Sequence, residues 1–435
     1  MSDSVTLSAC LKRLSWSPDR LAREINRVCG GGTISDKAPY NWLKGSLPRR
    51  QLPEIVARIL SEKLGESVTV RDLWPDRFPA PVAEKATLPR QRSAGIAPDP
   101  LPAQDMVATA VDWLVGNDPP MTCRLRGEEV DPHILSVLED RSAQLRRLGD
   151  ERAGELVMDW AVQELRWTRK LIAECSYGRA TGLRLHRTAA ELAQVVGWMA
   201  ADLDMAGQSE RHLLAALRSA RIAGDRALAA YVISCLSYRF TWSGQGREAL
   251  RLIQIARKGT QDEAPGPGQA LLASRLARAY AALGDAVGCR RALDEAQELI
   301  EADGECRTAP WASWVTPAVL VADAGRSWLD VGRSAWAERH LVRGLELFGE
   351  SQPLNRLLHW TSLAEARLAH GDVDGAAAAT WEALGLWERV TSHRARVRLT
   401  RLRSRFARCD AMVARQIAQD TAEVLDEARR LASCG

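Results

Sequence analysis

The polar side chains whose types and spacing suggest chemistry lie in "TISDKAPYNWLKGSLPRR", Thr33–Arg50, where four cations and an asparagine flank the single tryptophan Trp42. Such groups donate hydrogen bonds and neutralise anions; they neither attack nor abstract. The charge distribution points the same way. Residues 12–50 hold nine basic residues against three acidic, and residues 1–78 hold 13 against 9, whereas the remainder is balanced at 46 of each. The formal charge of +4 is therefore concentrated in the amino-terminal part, which is where an anionic partner would be met.

Other chemistries find little support. The nine cysteines, at 10, 29, 123, 175, 235, 289, 306, 409 and 434, include no CxxC pair, and none of the seven histidines completes a zinc-type spacing. They read as reduced structural thiols of a cytoplasmic protein. "GPG" at 266–268 sits in a proline-rich turn and follows no strand, so it is no phosphate loop. No Ser/His/Asp or Cys/His arrangement stands out. The expectation is a non-enzyme with neither cofactor nor metal.

The elements that must position the cations are helical. Ala, Leu and Arg dominate the 435 residues and β-branched runs are scarce, which gives an all-α class. No apolar stretch reaches the ~20 residues of a membrane helix, and the amino terminus lacks a signal-peptide core. Ser17 and Pro18 open a helix with Leu21, Ile25 and Val28 on one face, stopped by Gly30-Gly31-Gly32. Ser35 caps a short second helix with Pro39 in its first turn, Trp42 and Leu43 on its core side, and Gly45 as its stop. "LPEIVARILSEKLG" follows, with Leu52, Ile55, Ile59, Leu60 and Leu64 as its apolar stripe, and Leu73-Trp74 closes the domain.

Three parts result: a domain over 1–78, a linker over 79–103 with six prolines, and a helical region over 104–435. The last part repeats. Gly207, Gly244, Gly284, Gly332 and Gly371 each end an apolar helical pattern, and twelve residues beyond each lies Ser219, Ala256, Ala296, Gly344 or Ala383. A helix, a glycine turn and a second helix with a small contact residue is a helical-hairpin repeat. "AALGDAVGCRRALDEAQELI" and "RLAHGDVDGAAAATWEALGLW" resemble the tetratricopeptide repeat, with Ile300, Phe348 and Trp387 at its large-residue position. Stacked hairpins make an α-solenoid whose groove binds a peptide, a partner helix or another subunit.

The order of helix, turn, short helix ending in Trp-x-x-Gly, and Pro-led amphipathic helix ending "LG…V…DLW" resembles the helix-turn-helix of Xre/Cro-type repressors. The matching positions are Leu21-Ala22, Trp42, Gly45, Pro48, Leu64-Gly65 and Leu73. In that family the second helix enters the DNA major groove. The resemblance makes Asp36, Lys37 and Asn41 candidates for base edges, and Ser35, Tyr40, Lys44, Arg49 and Arg50 candidates for phosphates. Asn pairs bidentately with adenine, Lys donates to guanine, and cations release counterions. The connection through "NRVCGGGT" is about seven residues longer than the family's turn, and Leu43 replaces the Glu common after the Trp. The chain as a whole is similar to large actinobacterial, Streptomyces-type regulators that join an Xre-like domain to tetratricopeptide repeats, which implies control of development or secondary metabolism.

That resemblance implies a cytoplasmic, sequence-specific regulator that binds double-stranded DNA, as a homodimer, with a peptide or protein effector in the repeat groove. The competing class is a tetratricopeptide scaffold whose basic domain contacts protein. Trp42 reads as a core residue; Lys37 and Lys44 also fit an ordinary solvated face. Among the 15 tryptophans, Trp311, Trp314, Trp328, Trp336 and Trp360 are the ones a ligand cage would draw on. The eight arginines between Arg389 and Arg408, with no acid among them, read as the solvated back of a packing helix that meets an acidic neighbour, with a second nucleic-acid surface as the alternative.

Overall fold

A computed structural model describes residues 6–29, 33–44, 46–48, 52–64, 68–74, 99–116, 122–151, 154–302, 309–350, 352–390 and 392–434. The fold is all-α. Among the described residues there is no strand, and β pairing is confined to isolated bridges such as Glu129–Ser176. The chain divides into two compact units, residues 1–96 with 124–126, and residues 97–123 with 127–435.

The first unit contains α1 (Leu7–Arg13), α2 (Pro18–Cys29), α3 (Ala38–Leu43), α4 (Leu52–Leu64) and α5 (Val70–Leu73). Each start has a local cause. The Thr6 hydroxyl accepts the Ala9 N–H ahead of α1, and Ser17 accepts the Arg20 N–H ahead of α2, both at 3.3 Å. A reciprocal capping box between Thr69 and Asp72 opens α5. Leu7, Cys10 and Leu11 bury the inner side of α1, an i, i+3, i+4 set. They join Leu21, Ile25, Trp42, Val56, Ile59, Leu60, Leu73 and Trp74 in one core.

One expected stripe is corrected and another widened. On α2 the buried set is Leu21, Ala22 and Ile25, whereas Val28 is 39% exposed because the last turn of the helix rises past the core. On α4 the buried set is Pro53, Val56, Ala57, Ile59 and Leu60, while Leu52, Ile55 and Leu64 are only half-buried. Those three still pack on the same core, so the expected face holds and is widened toward Pro53, Val56 and Ala57.

The second unit opens with α6 (Ala103–Val115), α7 (Pro132–Glu151) and α8 (Glu155–Glu174). Hairpins follow: α9 (Arg179–Asp202) with α10 (Ala206–Ile222), α11 (Arg226–Trp242) with α12 (Gly246–Gly259), and α13 (Pro267–Ala282) with α14 (Ala286–Glu301). Then come α15 (Pro317–Asp330) with α16 (Ser334–Phe348), α17 (Pro353–His370) with α18 (Val373–Gly385), and α19 (His393–Phe406) with α20 (Met412–Cys434). The first helix of each hairpin also packs on the first helix of the next, from α9 through α19. This is the stacking of a helical-repeat solenoid.

The turns between paired helices use the left-handed backbone region, which suits glycine. Gly244, Gly284, Gly332 and Gly371 all have φ between 75° and 84°. Gly207 does not, and the expectation for it is corrected: it lies buried inside α10, and the turn before that helix is made by Asp204 at φ 66°. Aspartate tolerates this region better than most residues. With Asp204 in place, the turns fall at intervals of 40, 40, 48 and 39 residues. The small contact residue twelve on becomes Ala216, fully buried, in place of the half-buried Ser219. Ala256, Ala296, Gly344 and Ala383 are buried as their spacing predicts.

The expected linker is also shortened at its carboxyl end. Residues 75–98 lie outside the described set, but Leu101 belongs to the second unit, where its N–H donates to the Glu210 carboxylate at 2.6 Å and its side chain packs on the core.

The solenoid returns on itself. α19 contacts α9, and α17 contacts α7. Arg394 grips Asp202 with Nε at 2.5 Å and Nη2 at 2.9 Å, while the Ser392 hydroxyl donates to the same carboxylate at 3.2 Å. The guanidinium also lies over the rings of Trp198 and Trp242. Asp202 is thus the acid that meets the arginine-rich helix, whose inner side buries Leu399, Leu402 and Phe406 completely.

Candidate nucleic-acid interface

The short helix α3 has two unlike sides. Pro39 and Trp42 face the core, with Trp42 only 6% exposed. Ser35, Asp36, Lys37, Tyr40, Asn41 and Lys44 are all exposed. Lys37, Asn41 and Lys44 are spaced i, i+4, i+7 and so share one side of the helix. Among the described residues no hydrogen bond or ion pair engages the Asn41 amide or the two ammonium groups. Arg49 and Arg50 lie outside the described residues, as do Gly45 and Gly65.

Two local expectations fail here. Ser35 does not cap α3 through its side chain. Its carbonyl accepts the Ala38 N–H at 2.9 Å, and Lys37 occupies the cap position without a side-chain bond. The chain makes a backbone turn over 35–38 before Pro39, whose missing N–H fits the first helical turn. Ser35 and Asp36 therefore stand in the approach to the helix, and Lys37 at its cap. Leu43 is 39% exposed and not a core residue. It lies 100° round from Trp42, and the indole already fills the inner side of so short a helix.

Ile34, in the approach to α3, is held by a residue that periodicity does not mark. Asn26, on α2, donates Nδ2 to the Ile34 carbonyl and accepts the Ile34 N–H on Oδ1, both at 2.9 Å. The side-chain amide thus satisfies both backbone groups of Ile34 and ties that residue to α2. A second tie comes from Tyr40, whose hydroxyl donates to Asp19 at 2.7 Å. That bond to a carboxylate raises the phenol pKa, so Tyr40 stays a neutral donor. It braces α3 against the start of α2.

A third tie joins α2 to α4. Glu24 accepts from Arg27 at 2.7 Å and lies 3.4 Å from Lys63. The hydrogen bond from Arg27 holds its carboxyl down at about 2. Glu24 therefore stays ionised, its charge compensated by Arg27 and Lys63. The face of α3 thus carries two ammonium groups and one free carboxamide, held by two side-chain ties to α2 and by the buried indole; such groups can neutralise anionic oxygens and pair with a donor–acceptor edge. Among the described residues no group of histidine, cysteine and carboxylate side chains is placed to hold a metal, and no helix is long and apolar enough to cross a membrane.

The full chain matches no curated protein. Residues 7–73 match the family model of the SP15 N-terminal domain, a span that begins with the first residue of α1 and ends with the last of α5.

Proposed function

We propose that the protein is a cytoplasmic, sequence-specific DNA-binding transcriptional regulator, with α3 as the helix that meets the duplex. The observation that carries this reading is the two-sided α3, with Trp42 buried and Lys37, Asn41 and Lys44 unengaged on the outer face. Lys37 and Lys44 supply charge for phosphates, and Asn41 supplies the paired donor and acceptor that adenine requires. The resemblance to Xre/Cro repressors supports the same placement. It also adds Ser35, Asp36, Arg49 and Arg50 to the contact set. A helix of six residues reads few base pairs, so useful specificity calls for two copies on a near-palindromic site. The helical-repeat unit is proposed to dimerise and to respond to an effector; the chain is not proposed to be an enzyme.

The test is equilibrium binding of the full-length protein to DNA as salt is raised. A DNA reader loses affinity steeply as salt rises, and Lys44→Ala lowers the salt slope by about one while weakening all sequences alike. Asn41→Ala is expected to relax sequence preference at one position, at a cost of about 1–3 kcal/mol for the preferred site. Salt-insensitive binding, or none to any sequence, would leave the scaffold reading in its place.

A further inference from the structure

Where the solenoid returns on itself, the first helices of its hairpins enclose a cavity of about 670 Å³. This volume suits a drug-sized molecule. It lies wholly within the second unit, walled by α7, α9, α11, α13, α15 and α17 and by the start of α19. The geometry points to a binding site for a small organic anion with a flat apolar body, entering the axis of the solenoid to act as the effector of the regulator.

The flat body is called for by the walls. Trp198, Tyr231, Tyr238 and Trp314 all line the space, and their rings are already ordered. Tyr231 stacks on Trp311 at 4.6 Å, and Trp198 stacks on Tyr238 at 6.0 Å. Rigid aromatic walls offer contact area at little cost in side-chain entropy. Of the five tryptophans that a ligand cage would draw on, Trp314 is the one that reaches the cavity, and Trp311 backs Tyr231 from behind.

The anion is called for by the charges. Five arginines line the cavity, against two acids, Asp323 and Glu350. Three of the arginines are answered by nearby acids: Arg275 bonds Asp323 at 3.2 Å, Arg394 holds Asp202, and Arg146 pairs with Glu191. Arg147 and Arg389 are exposed at the mouth with no ion-pair partner among the described residues. Arg146 is only 7% exposed, and its Nε and Nη2 lack acceptors although Nη2 lies 3.1 Å from Glu191. Distance and alignment disagree there, and alignment decides whether an N–H is satisfied. Buried N–H groups left undonated favour an incoming acceptor. Burial and the Asp323 carboxylate would raise the pKa of Tyr238, yet Arg275, Arg278 and Arg394 bring it below the usual value.

Arg394, by gripping Asp202, joins the last inner helix to the first beside this cavity. The effector role rests on the regulatory reading above, but ligand binding itself does not, so the test uses the full chain without DNA. The probes are 8-anilinonaphthalene-1-sulfonate and its uncharged counterpart N-phenyl-1-naphthylamine, followed by calorimetry and by tryptophan fluorescence.

The expected result is one site per chain that prefers the sulfonate. Arg147→Glu with Arg389→Glu should weaken the sulfonate by about tenfold and leave the neutral probe unchanged. Both residues are exposed, so folding is not at stake. Asn355→Trp, at the mouth, should exclude both probes, and a near-wild-type melting curve shows that the variant is folded. Equal affinity for the two probes, several sites of equal strength, or a sulfonate affinity untouched by the double reversal overturns the proposal. Salt-dependent DNA binding is measured separately and can fail without touching this outcome.

Discussion

Asn26 illustrates how much a single side chain can fix. Its amide completes both backbone groups of Ile34, so Asn26→Ala leaves a donor and an acceptor half-buried and unpaired. The expected loss is about 1–3 kcal/mol of stability of the first unit, read by chemical denaturation. Binding to every DNA sequence should weaken in parallel, although Asn26 is not on the outer face of α3. A variant that melts normally and binds normally would show that Ile34 is held in place without the clamp. Trp42 as an anchor was legible in the sequence, because an indole between breakers in a polar stretch has little else to do. The Asn26 clamp was not legible, because a side chain that imitates a backbone partner leaves no periodic signature. The outward set of Lys37, Asn41 and Lys44 came from the resemblance, and what the structure adds is that these residues lie on one exposed side.

At the scale of the element, α15 and α16 cross where Gly344 has no side chain to spare. A Cβ there would lie 2.6 Å from the Ala322 Cβ and 2.8 Å from the Ala322 backbone nitrogen. Backbone cannot yield as a side-chain tip can, so Gly344→Val should separate the two helices and cost about 1–3 kcal/mol or more. The check is the thermal midpoint of the full chain, and an unchanged midpoint would mean that the crossing is looser than described. This contact was legible, since a small residue at a fixed distance past a turn glycine announces a close approach. The register of the first hairpin was not. An aspartate in the left-handed region carries no mark in the sequence, and Gly207, three residues on, offered a more conventional turn residue.

At the scale of the molecule, one buried and one half-buried histidine, His359 and His212, set a dependence on acid. Desolvation brings His359 down to about 4, helped by Arg398, Arg278 and Arg326 and opposed by Asp323. Its imidazole is therefore neutral, and its 3.9 Å approach to Asp323 is not an ion pair near neutral pH. Burial, with Arg169 nearby, likewise brings His212 to about 4. Between the ordinary value of 6.5 and 4 the unfolded chain takes up protons that the folded chain refuses. Stability is then fully present above pH 6.5 and falls as the pH drops toward 4, by up to about 3 kcal/mol per histidine. Urea titrations of the wild type and of His212→Gln/His359→Gln at pH 7.5 and 5 test this. A wild type no less stable at pH 5 than at 7.5, or a double variant that loses as much as the wild type, would assign the acid response elsewhere.

The grip of Arg394 on Asp202 spans 192 positions of sequence, and no local pattern announces it. It also changes how the repeat array ought to come apart. A row of hairpins that touch only their neighbours frays from its two ends, and each repeat melts nearly on its own terms. A row whose last member is fastened to its first has no free end at which to begin. Unfolding should then proceed as one event, and a lesion in either terminal hairpin should be felt by the other.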